Sequence, residues 1–69
     1  MKNAENINEM MEMGLTNREI KLIAFEAQDV DAFAVNMMSE FSNRTFNLIL
    51  KAKAQPSYVV RRCVHLMNT

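Results

Sequence analysis

The chain has 69 residues, 49% hydrophobic and 23% charged, and its formal net charge is zero. This is the composition of one folded domain with a thin core, and it excludes a disordered chain. No apolar run approaches the ~20 residues that span a bilayer, the N-terminal stretch lacks a signal-peptide core, and the lone cysteine forms no internal disulfide, so a cytoplasmic protein with no membrane partner is expected.

One glycine and one proline leave little punctuation for hairpins, and long helices with short links follow. Asn3 is placed to cap a first helix that ends near Met13, where Gly14 offers the positive φ of a helix stop. Thr16 and Glu19 have the spacing of a capping box, and Leu15 and Ile20 bracket it as a hydrophobic staple. The helix they open runs to about Gln28 with Ile20, Ile23, Ala24 and Ala27 inward.

Asp29 is the expected cap of a third helix to Ser39, on which Val30, Phe33, Ala34, Met37, Met38 and Phe41 form one stripe. Ser42 caps a fourth helix, with Phe41 and Phe46 as its staple and Phe46, Ile49 and Leu50 inward. Gln55-Pro56 ends that helix, and Ser57 caps a last one with Val60, Cys63, Val64 and Met67 on one face. No segment alternates with period two, so the expected fold is all-α: a compact four- or five-helix domain over residues 1–69. Residues 1–14 are its candidate peripheral or dimerisation helix.

Little here suggests catalysis. Cys63 and His65 are the only soft metal ligands, and two positions apart on a helix they diverge. There is no Gly-rich phosphate loop and no base placed on a nucleophile, so we expect no enzyme activity, no metal and no cofactor.

The charges are segregated along the chain. Residues 1–40 hold three basic and eight acidic side chains, a balance of −5, while residues 41–69 hold five basic and no acidic ones. Either the basic half faces an anionic partner or the two halves attract each other, within the fold or between copies. The pair Asp29–Ser39 and Ser42–Ala54 has the order of a helix-turn-helix, whose second helix reads the major groove. Arg44, Asn47 and Lys51 then form an outward stripe beside Asn43, with residue types that suit guanine and adenine. Ser42 and Thr45 would meet phosphate at the helix N-terminus, and Lys53, Arg61 and Arg62 would flank them on the DNA backbone.

The stretch "LTNREIKLIA" resembles the opening of LuxR/GerE-type DNA-binding domains, and the helix order over residues 15–67 is similar too. The resemblance implies four helices, major-groove binding of double-stranded DNA as a homodimer, and transcriptional control. The family's Asn-Lys-Glu-Ile-Ala stretch is replaced here by "DVDAFAV". A second stretch, "MMEMGLTNREI…DVDAFAVNMM", looks like a ubiquitin-associated domain, which implies a protein-binding module instead. In that reading the methionine-rich, acidic N-terminal helices carry the partner site, with Ile7, Met10, Met11 and, from the fourth helix, Leu48 as contacts. The plainer role for the methionines is to fill gaps in a small core.

Overall fold

The computed structural model describes residues 8–31 and 33–68, and every regular element among them is helical. α1 covers residues 8–12, α2 Asn17–Ala27, α3 Asn43–Lys51 and α4 Pro56–Met67, with one 3-10 turn at Ala34–Asn36 between α2 and α3. The all-α expectation holds, as four α-helices. The radius of gyration, 10.9 Å, is close to the ~11 Å of a compact chain of this length.

α2 starts where its sequence says it should. Thr16 Oγ1 accepts the Glu19 N–H at 3.2 Å, and the Glu19 carboxylate accepts the Thr16 N–H at 2.8 Å, closing the capping box. Its buried residues are Ile20, Ile23, Ala24 and Ala27, the face expected. The two alanines let α4 approach closely, and α4 answers with Val59, Val60, Cys63 and Leu66. That face is turned from the expected one: Val64 and Met67 are only half-buried, and Val59 and Leu66 take the centre. α4 also begins earlier than expected, at Pro56, with Gln55 rather than Ser57 in the cap position. Proline suits the first helical position because its missing N–H would have no intrahelical partner there.

The expected helix over Asp29–Ser39 is not formed. Asp31 Oδ1 accepts the Phe33 N–H, an Asx turn that bends the chain, and Met38 at φ 57° closes the segment after the 3-10 turn. Val35, Met38 and Phe41 are buried, Val35 within the 3-10 turn and the other two in the irregular chain after it. Phe33 and Met37, inward on the expected stripe, stand outside. The tight helix pair expected around residue 40 is therefore absent, since α2 and α3 are joined through irregular chain and a single 3-10 turn.

α3 keeps its Ser42 cap, which accepts the Thr45 N–H at 3.2 Å. Its inner face is Thr45, Ile49 and the following Ala52, whereas Leu50, expected inward, is exposed and Phe46 is half-buried. At the other end of the chain Met10 is fully buried, and its carbonyl accepts the N–H groups of Met13 and Leu15. Gly14, at φ 91°, makes that reversal possible. The described part of α1 is thus anchored in the core, and Met10 is a core residue where a partner contact was expected. Asn3 and Ile7 lie outside the described residues.

Thr16→Ala should cost about 1 kcal/mol in chemical denaturation, because it opens the capping box. Asp29→Ala should stay within about 0.5 kcal/mol, because Asp29 starts no helix here.

Candidate functional site

The acid-free half meets the acidic half inside the fold. Lys51 Nζ lies 3.1 Å from Glu19 Oε1, pairing α3 with α2 through the carboxylate that closes the capping box. Arg62 Nη2 lies 2.8 Å from Glu9 Oε2, and the Tyr58 hydroxyl donates to the other oxygen of the same carboxylate. Glu26 accepts from both the backbone N–H and the hydroxyl of Ser42, each at 3.2 Å. A carboxylate thus occupies the N-terminus of α3, where the helix dipole favours negative charge.

Each of these carboxyls is held below its ordinary value of 4.5. The Tyr58 hydroxyl and then Arg62 lower Glu9; the Thr16 N–H and then Lys51 lower Glu19. The Thr45 hydroxyl faces Glu26 without meeting hydrogen-bond geometry and acts on it as a dipole; with the Ser42 donors it lowers that group. Tyr58 is raised from 10.0, first by its bond to Glu9.

These contacts redistribute the residues expected to hold DNA. Asn43, Arg44 and Asn47 are exposed on α3, and Lys53 and Arg61 are exposed beyond it. Lys51 is ion-paired, Arg62 is ion-paired, and Ser42 is engaged by Glu26. Thr45 is fully buried, so it contacts no phosphate; its small side chain belongs to the inner face of α3. Of the expected partner contacts, Met11 is half exposed and Leu48 packs partly against the core. Burial pushes the Cys63 thiol up to about 12, which leaves it a core side chain with little thiolate. Among the described residues no three or more His, Cys, Asp or Glu gather as metal ligands, and no helix is long and apolar enough to cross a membrane.

Two surface features were not read from the sequence. Phe25, Phe33 and Met37 are 72%, 85% and 77% exposed, the last two flanking the 3-10 turn. An open groove of about 900 Å³ runs between the end of α2, that turn and α4. Ala27, Val30, Val35, Val60 and Val64 supply its apolar lining, and Ser57, Tyr58, Arg61, Arg62 and His65 its polar lining; among the described residues no acid lines it, but Glu9 holds both Tyr58 and Arg62. The only sequence signal for the groove was the acid-free run of α4, which reads equally as a solvated face. No protein-family model, curated protein or solved structure matches the chain.

The lowered carboxyls contribute to the acid limb of stability. A carboxyl depressed in the folded state stabilises fully above its unfolded value near 4.5, and that contribution is lost as pH falls through the folded values. The midpoint of thermal unfolding should therefore be level near neutral pH and fall below about pH 4.5. Glu19→Gln should lower the neutral midpoint and flatten the acid decline.

Proposed function

We propose that this protein is a small protein-docking module. The observation that carries the reading is the exposure of Phe25, Phe33 and Met37. In a core this thin, three large apolar side chains left in water forgo burial that would stabilise the fold by roughly 1.5–3 kcal/mol each. Aromatic and methionine side chains are also those that dominate protein interfaces. The ion pairs support the same reading, since Lys51 and Arg62 already have carboxylate partners.

A second reading is double-stranded DNA binding of the LuxR/GerE kind, with transcriptional control by a homodimer. It rests on Asn43, Arg44 and Asn47, which share the exposed side of α3. Against it stand the Glu26 carboxylate at the start of that helix and the missing supporting helix.

A gel-shift titration on mixed duplex DNA at low and moderate salt separates the two. The docking reading expects no complex at low salt, whereas phosphate binding would appear there and weaken steeply as salt rises. The paired substitution Phe33→Ser and Met37→Ser tests the carrying observation. It should leave stability within about 1 kcal/mol, as for two exposed sites, while weakening peptides selected from a displayed random library. A loss of several kcal/mol would place these residues in the core and remove the basis of the reading.

A further inference from the structure

We infer that the surface around the 3-10 turn takes a cationic amphipathic segment of a partner protein, an inference that rests on the docking reading and names its site and ligand chemistry. Phe33 and Met37 stand exposed on either side of that turn. Asp29, Asp31 and Glu40 are exposed in the same stretch of chain. From residue 22 to residue 43 the sequence carries four carboxylates, Glu26 included, and no Lys or Arg. The ion pairs of the fold, Lys51 with Glu19 and Arg62 with Glu9, leave all four without a cation among the described residues.

Asp31 is held against Phe33, because its Oδ1 accepts the Phe33 N–H at 3.3 Å. A carboxylate thus sits at the base of an exposed aromatic side chain. A partner's Lys or Arg meets both groups at once: the carboxylate as counter-ion, the ring face through its quadrupole, with the methylene stem lying over the ring. Met37 is unbranched and flexible, and it adapts to the apolar residue that accompanies the cation. Rival occupants are disfavoured by charge. Nucleic acid and an anionic lipid surface would bring negative charge against the carboxylates. A second copy docked through the same face would set four carboxylates against four. An uncharged apolar segment would cover the acids without compensating them.

The probe is a synthetic 16-residue peptide with a leucine stripe flanked by lysines, compared with the same peptide carrying glutamates in their place. The full chain is titrated with each by fluorescence anisotropy, and the contact is mapped by amide chemical shifts. The lysine peptide should bind at least about tenfold more tightly, a difference of about 1.4 kcal/mol, and added salt should narrow that margin. Shifts should centre on residues 29–31 and 33–40. Asp29→Lys combined with Glu40→Lys, both at exposed positions, should weaken the lysine peptide about tenfold and strengthen the glutamate one, a reversal that misfolding cannot imitate.

Equal binding of the two peptides, shifts centred elsewhere, or no binding up to about 1 mM would overturn the inference. So would lysine-peptide binding that survives Phe33→Ser with Met37→Ser, or self-association in sedimentation that the same pair abolishes. Library peptides that need Phe33 and Met37 but are neutral or acidic would leave the docking reading standing while this inference fails. A library that yields no binder, together with salt-sensitive DNA binding, would remove both.

Discussion

The apolar seam between α2 and α4 is the contact on which the rest of the structure depends. The two helices lie about 30 residues apart in the chain, with nothing but small and branched side chains between their axes. Closing the seam brings Glu9 over Arg62 and leaves the flank of α2, with Glu19 and Glu26, to face α3. The ion pairs follow from the apolar contact, because exposed pairs of this kind are too weak to choose a fold. Once made, however, they determine which basic side chains are left for a partner.

That consequence shapes the functional reading. A chain with all its acids before residue 41 and five cations after it invites a nucleic-acid interpretation. In the folded protein two of the five pair with acids of the first half, and Glu26 takes the helix end a phosphate would have used. The unpaired cations Arg44, Lys53 and Arg61 are spread over α3, the turn after it and α4. The three most exposed large apolar side chains lie in α2 and around the 3-10 turn, the segment that failed to become a helix, while Met11 and Leu50 are about half exposed elsewhere. The departure from regular structure and the candidate docking surface thus coincide. Met38 at a positive φ marks the backbone strain of that segment.

How much was legible in the sequence depended on how local each signal was. The start of α2 was readable because Thr16 and Glu19 bond to each other's backbone three residues apart. The Ser42 cap was readable for the same reason. Residues 29–41 were not, since they carry both a helical stripe through Phe33 and Met37 and a period-three set at Val35, Met38 and Phe41. The observed set goes with packing of the 3-10 turn on α4, a contact distant in sequence that local spacing does not reveal. On α3 the rival faces were Phe46–Leu50 and Thr45–Ile49–Ala52, and a threonine hides in a polarity count although it packs as a small residue. The charge balance of the two halves was visible, but not which members would meet, because Glu9 and Arg62 are 53 residues apart.

The two charged halves of the chain pair with each other within the fold, Lys51 with Glu19 and Arg62 with Glu9. A charge swap at its longest link tests this most directly: Glu9→Arg, Arg62→Glu and the double variant, compared by thermal unfolding at low salt. Each single change should lower the midpoint and the double variant should regain most of the loss, with the recovery shrinking as salt screens the pair. Single variants as stable as the parent, or a double variant whose losses simply add, would contradict it.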